Sequence, residues 1–394
     1  ACNGGKWDEI FNTILTIVTA AASSILILLT IGALSGTWMM SGVTPAMIYY
    51  GLYVLRPSFF LPATVIIASV ISVFTGSSWS TIATIGVAML GIGHSLGFND
   101  AVVAGAIISG AYFGDKISPL SDTTNIASSV CEVDLFTHIR YMLRTTIPTI
   151  VITLLIFAGI AIFHSPQTSQ MSASEMQQAI KGIYHITPWV FLVPAVVIFM
   201  IAKKVPALVT LLTGATLGAV ATVIFQPDLI HRLAGGNSFN ETYSVVMRSF
   251  YVHIQIVSDT PSLGELFSTE GMAGMLNTIW LALCALVFGG IMEAGGFLGK
   301  ITSDIIRKVS STGGLVTSTA FTCILANIVT AEQYITLIIN GNTYKEAYRE
   351  RKLAPELLSR TIEDGGTATS VLVPWNSCGA TQAKVLGVPT LAYL

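Results

Sequence analysis

Charge is scarce in this 394-residue chain. Asp, Glu, Lys and Arg together supply 10% of it, where soluble domains carry roughly 25%. None of the four occurs in Ile10–Leu55, Pro57–Asn99, Thr145–Ser174, Gly182–Ala202, Val205–Pro227, Gly271–Met292 or Val309–Ala331. A helix needs about 20 mostly apolar residues to cross the hydrocarbon of a bilayer. So many uncharged runs of that length exclude an ordinary soluble domain and predict a multi-pass, all-α membrane protein. The net charge of −2 shows no basic excess, so no nucleic-acid partner is expected. Cysteine is sparse too. Cys2, Cys131, Cys284, Cys323 and Cys378 form no CxxC pair and no metal spacing, and read as reduced thiols inside helices. No GxxxxGK(S/T) loop is present, so nothing in this chain supports ATP-driven transport. The expectation is a protein that is not an enzyme and carries no cofactor. No signal-peptide pattern opens the sequence, and further helices are expected beyond one or both ends.

What is present is polarity concentrated at a few places. Ile10–Ser41 reads as one long helix with Gly32 and Gly36 as break points, and Thr44–Leu55 as a short aromatic helix at the interface. Phe59–Phe74 and Ser80–Gly97 are apolar and are separated by Thr75-Gly76-Ser77-Ser78-Trp79. Ala101–Phe113 is too short to span and runs into the polar stretch Gly114–Asn125. Asp134–Arg144 reads as amphipathic, Thr145–Phe163 as spanning and His164–His185 as an exposed loop. Ile186–Ala202 and Ala207–Phe225 read as a helical pair around Lys203 and Lys204, with Pro206 in the first turn of the second helix. Gln226–Glu270 is mixed and expected at or outside the interface, and Met272–Phe297 spans.

The C-terminal part repeats this order. Gly313–Val329 and Ile335–Tyr344 flank the polar cluster Thr330-Ala331-Glu332-Gln333-Tyr334, and Pro355–Ile362 leads into Glu363–Ser370 and Pro374–Ser377. Thr75 falls on Thr330 and Trp79 on Tyr334 at an offset of 255; Gly42 falls on Gly299 at 257, and Gly114 on Gly366 and Ser118 on Ser370 at 252. The division is residues 1–144 as a first repeat (hairpin 59–97, broken helix 101–133), 145–270 as connecting helices and loops, and 271–394 as a second repeat (hairpin 312–345, broken helix 355–387). Lys and Arg gather on cytoplasmic loops. Lys300–Lys308 and Lys345–Arg360 are rich in them, whereas Gly42–Arg56 holds only Arg56 and Leu90–Ser109 has none. Equivalent loops thus differ in charge, as opposite orientations predict. Both flanks of Gly313–Tyr344 are basic, which predicts a hairpin that enters and returns. The expected architecture is two inverted repeats, each with a re-entrant helical hairpin and a broken transmembrane helix, the arrangement in which transporters build midplane sites.

Irregular backbone at membrane depth is tolerated only inside protein or against a water-filled cavity, and ionisable residues there are functional candidates by default. Gly114–Asn125 supplies Asp115, Lys116, Ser118, Ser121, Asp122, Thr123, Thr124 and Asn125 around Pro119. Read by composition alone, it would also pass for a polar surface loop. The first tip adds Thr75, Ser77 and Ser78; the second adds Glu332 and Gln333; the second breaker adds Asp364, Thr367, Thr369, Ser370 and Asn376. Carboxylates, hydroxyls and freed carbonyls are hard oxygen ligands and suit a small hard cation. The expected Na+ ligands are Asp122, Thr124, Thr75 and Ser78. Desolvation disfavours the charged form of a carboxylate, so such a group holds either a proton or a cation. That competition, joined to alternating exposure, exchanges Na+ for H+. Asp115, Asp122, Glu332 and Asp364 are the candidates, with Lys116, Glu293 and Glu363 as charge partners or proton carriers.

Phe113–Asn125, together with Thr75–Trp79, Glu363–Thr367 and Pro374-Trp375-Asn376-Ser377-Cys378-Gly379, resembles the NhaC family of sodium/proton antiporters, and the resemblance covers nearly the whole chain. It implies membership of the ion-transporter superfamily, whose repeats each carry a re-entrant hairpin and a broken helix. It also implies the cytoplasmic (inner) membrane of a prokaryote as location. Gly365 and Ala368 depart from that pattern, which has Ser and Val there. Some members resemble antiporters of malate and lactate and others move amino acids, so a Na+/H+-coupled organic-anion or amino-acid exchanger is the alternative reading. Membrane lipid and small ions are the expected partners, joined by a small carboxylate under the alternative; a homodimer is left open.

Overall fold

A computed structural model describes residues 7–163, 173–203, 205–236, 238–256 and 267–393. Among them every regular element is helical, apart from one β-bridge between Ile254 and Thr269. Helix α1 (Trp7–Met40) runs without interruption. Gly32 and Gly36, expected as break points, lie instead under the backbones of Gly271 and Ser249. Small residues in a membrane helix let a neighbouring backbone come close, and here they do that rather than end the helix. Helix α2 (Val43–Val54) follows and buries Val43, Ile48 and Tyr49.

Helix α3 (Pro57–Thr75) ends at Gly76 and Ser77. The chain returns through α4 (Ser78–Thr81), a π-helical stretch (Ile82–Gly86) and α5 (Val87–Ser95). The return is antiparallel: Phe60 stacks on Phe98 at 5.4 Å between ring centroids, and the Thr75 and Thr81 hydroxyls meet at 3.1 Å. Gly76 has φ +63, and a Cβ there would collide with the Leu120 backbone, so this turn requires glycine. Helix α6 (Asp100–Ile117) extends through Gly114, the first residue of the stretch expected to hold the break. Gly110 and Gly114 face Val65, Ser69 and Ser72 of α3. The break comes at Ser118–Ser121, around Pro119, and α7 (Asp122–Val130) restarts the helix.

Helix α8 (Leu135–Phe163) is continuous, so the limit drawn between residues 144 and 145 falls inside it. Arg140 and Arg144 are good helix formers and do not interrupt it. Helix α9 (Ala173–Ile183) stands where an exposed loop was expected. Its Met176, Ile180 and Ile183 are buried, a helical-period stripe hidden by the polar composition around it. Residues 164–172 and Lys204 lie outside the described residues. A short 3₁₀ turn (Pro188–Phe191) opens α10 (Leu192–Ala202), and Pro206 caps α11 (Ala207–Phe225) from just outside its first turn. Helices α12 (Pro227–Ala234) and α13 (Phe239–Tyr251) follow, and α13 packs on α1.

Helix α14 (Leu276–Ala294) and α15 (Phe297–Lys308) precede a second helical hairpin, α16 (Thr312–Thr330) and α17 (Gln333–Glu350). Helix α18 (Pro355–Ile362) continues through a π-helical turn (Glu363–Thr367) into α19 (Ala368–Ser370). Glu363–Ser370 was expected to break the helix; it widens it instead, and the chain leaves the helix only after Ser370. Helix α20 (Ser377–Leu386) then starts behind the Asn376 cap.

An offset of 255 carries α3 onto α16 residue for residue, Ser78–Ser95 onto α17, and the starts of α6 and α7 within a residue of those of α18 and α20. Gly110 meets Val65 and Ala68 as Gly365 meets Ala320 and Cys323, again 255 apart. Gly114 and Ser118 therefore correspond to Thr369 and Val373, not to Gly366 and Ser370. Six of the described helices, or seven with the bent pair Ser174–Ile183 and Pro188–Ala202, are long and apolar enough to cross a membrane. The chain is a multi-pass helical membrane protein.

Candidate functional site

The first hairpin tip is tied to the first helix break. Ser78 donates its N–H (3.1 Å) and its hydroxyl (2.8 Å) to Asp115 Oδ2. Ser72 Oγ donates to the Ala111 carbonyl at 2.6 Å, and Ser118 Oγ to the Val73 carbonyl at 2.7 Å. Within the break, Thr124 Oγ1 donates to the Lys116 carbonyl, Asn125 Nδ2 to the carbonyls of Pro119 and Ser121, and the Ser121 and Thr123 hydroxyls pair at 3.0 Å. These bonds satisfy backbone groups that the break frees, as burial demands. Beside them lies a cavity of about 240 Å³ whose walls include Thr75, Ser77, Asp115, Asp122, Gln333 and Tyr334. Asp115 is buried; Asp122 is exposed, and its exposed surface lines the cavity.

The second tip and break repeat the bonding with different side chains. Asn327 Nδ2 donates to the Gly366 carbonyl at 2.7 Å, in the place of Ser72 and Ala111. Trp375 Nε1 donates to the Ile328 carbonyl at 2.8 Å, where Ser118 served Val73. Ser370 Oγ and Gln333 Oε1, at 3.4 Å, replace Asp115 and Ser78. Asn376 caps α20 and reaches the Asn327 carbonyl; Thr369 Oγ1 accepts from Asn327 Nδ2. Glu332 takes the position of Ser77, and Ser377 that of Asp122. At these two positions the hydroxyl and the carboxylate are thus exchanged between the first tip and break and the second. Glu332 is fully buried.

A third polar group joins the two broken helices. The Lys116 ammonium pairs with Asp364, whose other oxygen accepts from Thr145 Oγ1 at 3.4 Å and lies 3.8 Å from Arg360 Nε. Lys116, Asp364 and Thr367 line a second cavity, of about 580 Å³, between α6, α8 and α19. Glu363 is fully buried beside Lys116, Thr123 and Thr367. Asp364→Asn leaves both Lys116 and Arg360 without this partner, whereas Lys116→Met leaves Asp364 with Arg360. Thermal unfolding in detergent should show the first variant less stable than the second, by about 1–3 kcal/mol.

Of the four expected Na+ ligands, Thr75 and Asp122 line the first cavity, Ser78 is bonded to Asp115, and Thr124 is turned onto the Lys116 carbonyl away from it. Glu293 lies on α14, lines none of the cavities described and has one oxygen without a hydrogen bond. Sequence reasoning passed over Asn327, Ser377 and Tyr334. Asn327 carried a usable signal, a lone amide within the charge-free run Val309–Ala331.

Helices broken beside two tips, with carboxylates on a polar cavity inside a multi-pass bundle, define a membrane transport protein. The sequence profile of the Na+/H+ antiporter family matches residues 110–394, and the chain belongs to that family. It is 38% identical over 393 residues to the malate-2H+/Na+-lactate antiporter of Bacillus subtilis (strain 168), covering 99% of this chain and 81% of the relative. To the Na+/H+ antiporter NhaC of Alkalihalophilus pseudofirmus (strain ATCC BAA-2126 / JCM 17055 / OF4) it is 34% identical, covering 98% and 81%. To the arginine/ornithine antiporter ArcD of Halobacterium salinarum (strain ATCC 700922 / JCM 11081 / NRC-1) it is 35% identical, covering 99% and 79%.

Proposed function

We propose that this chain exchanges Na+ for H+ across the cytoplasmic membrane of a prokaryotic cell by alternating access, through two inverted repeats with re-entrant hairpins. The observation that carries the reading is the cavity of about 240 Å³ lined by Asp115 and Asp122 where the first tip meets the first break. Two carboxylates with hydroxyls of Thr75 and Ser77 near them are hard oxygen donors matched to Na+. Close like charges cannot both stay ionised without a counter-ion, so the pair takes up a proton or a cation. The reciprocal packing of α7 on α17 and of α20 on the π stretch before α5 supports a two-fold relation between the halves. The basic residues at both ends of the second hairpin, Lys308 and then Lys345, Arg349, Arg351 and Lys352, support its re-entry from one side. In proteoliposomes loaded with a pH dye, external Na+ should move protons, and Asp122→Asn should remove the response. An unchanged response in that variant would mean the ion binds elsewhere.

A second reading, Na+-coupled exchange of a small carboxylate or amino acid, has one observation in its favour. The cavity of about 580 Å³ that holds Lys116 and Asp364 falls within the size range of small-molecule sites. Radiolabelled malate or lactate taken up only with Na+ supports it; no Na+-dependent uptake removes it.

A further inference from the structure

Besides Asp115 and Asp122, several hydroxyls wall the cavity of about 240 Å³, and most of them are already engaged. Thr75 Oγ1 accepts the Ser77 N–H at 3.2 Å and meets the Thr81 hydroxyl at 3.1 Å. Ser77 Oγ accepts the Ser80 N–H at 3.2 Å, and Ser121 pairs with Thr123. A hydroxyl has two lone pairs, so one that already accepts a bond has less to offer a cation. Asp115 gives one of its two oxygens to Ser78. Two side chains on the wall, from opposite halves of the chain, make no hydrogen bond among the described residues: Asp122 and Tyr334.

Tyr334 is carried to the cavity by a pinned tip. Ala331, at φ +57, turns the chain, and its carbonyl accepts the Ser377 N–H at 2.9 Å. Glu332 caps α17 and accepts the Tyr334 N–H at 3.5 Å. Tyr334 is thus fixed in the first turn of α17, half-buried, with Gln333 beside it on the same wall. Asp122 and Asp115 lie close enough for their charges to act on its hydroxyl. Its equivalent at the offset of 255 is Trp79, which lines the cavity too. The two aromatics differ in chemistry. An indole N–H only donates, whereas a phenol oxygen carries lone pairs that a cation can share. Of this pair, only the residue on the second tip brings such an oxygen.

We propose that the Tyr334 hydroxyl is a specificity-determining ligand of the ion site, so that Na+ is held between Asp122 of the first break and Tyr334 of the second tip. The assignment rests on the Na+/H+ reading and deepens it. With Na+ bound, the hydroxyl turns its oxygen to the cation. Without Na+, the same hydroxyl is free to donate to a carboxylate of the cavity. A neutral oxygen beside two carboxylates adds affinity without adding charge. Cation selectivity depends on the number, strength and spacing of the coordinating oxygens, and an oxygen fixed to the start of α17 contributes to all three.

The test uses the full chain in proteoliposomes and follows proton movement over a range of Na+ and of Li+ concentrations. Tyr334→Phe keeps the ring and removes one oxygen. It should raise the half-saturating Na+ concentration about three- to tenfold, the scale of one lost polar contact, and by more than it lowers the maximal rate. The relative half-saturating concentrations of Na+ and Li+ should shift as well, which a ring that only packs would not cause. An unchanged half-saturating Na+ concentration overturns the assignment, as does a rise by the same factor for both cations. Because the hydroxyl makes no bond among the described residues, the variant should unfold at the wild-type temperature in the absence of Na+. Earlier unfolding, or failure to fold, gives the hydroxyl a structural role and likewise overturns the assignment. A wild-type chain whose proton movement ignores Na+ sinks the exchange reading itself, and that result is distinguishable because it needs no variant.

Discussion

Asp115→Asn is expected to lower Na+-driven proton movement by about 10- to 100-fold while leaving the chain folded. Both halves of that expectation come from one atom. Oδ2 of Asp115 accepts the N–H and the hydroxyl of Ser78, and these two bonds pin the first tip to α6. An asparagine offers a carbonyl oxygen of the same shape in the same place, so it can keep both bonds. It cannot bind a proton in exchange for a cation, and it brings no negative charge to the cavity shared with Asp122. A charge-assisted interaction is worth about 1.5–3 kcal/mol, and each 1.4 kcal/mol is about tenfold, hence about one to two decades. Asp115→Ala separates the effects. It leaves two buried donors unpaired and should also lower thermal stability, by about 1–3 kcal/mol. The measurement is dye-reported proton movement in proteoliposomes, paired with thermal unfolding of each variant. Near-wild-type exchange by Asp115→Asn would remove this carboxylate from the ion site.

The places where sequence and structure part share a physical cause. The stretches that open at Gly114 and hold Gly365 and Gly366 were read as helix breaks for their polar composition. Inside an apolar bundle the same residues are where another helix touches. Gly366 meets Leu337, and Gly365 meets Ala320 and Cys323. Helices therefore run on to Ile117 and Ser370, and the chain breaks where Pro119 and the Pro374 region leave no alternative. Feature order was enough to align Thr75 with Thr330. It could not reveal that Ser72 and Asn327, or Ser118 and Trp375, make the same bond to equivalent carbonyls. A repeat conserved in its backbone geometry and not in its side chains is legible only once the partners are in place. The carboxylates were legible for a different reason. A charge in a long uncharged run is costly, and that cost singled out Glu332 and the Asp115–Asp122 stretch before any fold was known. Tyr334 and Ser377 gave no such signal, because a tyrosine or serine in a membrane helix is commonplace.

Gly110→Val is expected to be among the most damaging substitutions in the chain. Helix α6 lies against α3 at Gly110, and a Cβ there would meet the Val65 carbonyl and stand 2.9 Å from the Ala68 Cβ. Neither is the loose end of a side chain, so the helices themselves must part. Overpacking commonly costs about 1–3 kcal/mol; with backbone as the obstacle the loss should reach about 3 kcal/mol or more. Parting α3 from α6 also pulls Ser72 from the Ala111 carbonyl, Ser118 from the Val73 carbonyl and Ser78 from Asp115, so transport should fall with stability. The equivalent Gly365→Val should be milder. Its Cβ would stand 3.1 Å from the Cys323 Cβ and 3.2 Å from the Ala320 Cα, room enough for a shift of a few tenths of an ångström. Gly299→Val has nothing within 4 Å and serves as the control for β-branching in a helix. Thermal unfolding of the three variants in one detergent gives the ranking. Should Gly110→Val unfold with Gly299→Val, the α3–α6 contact is not what holds the first tip over the break, and the cavity between them needs another support.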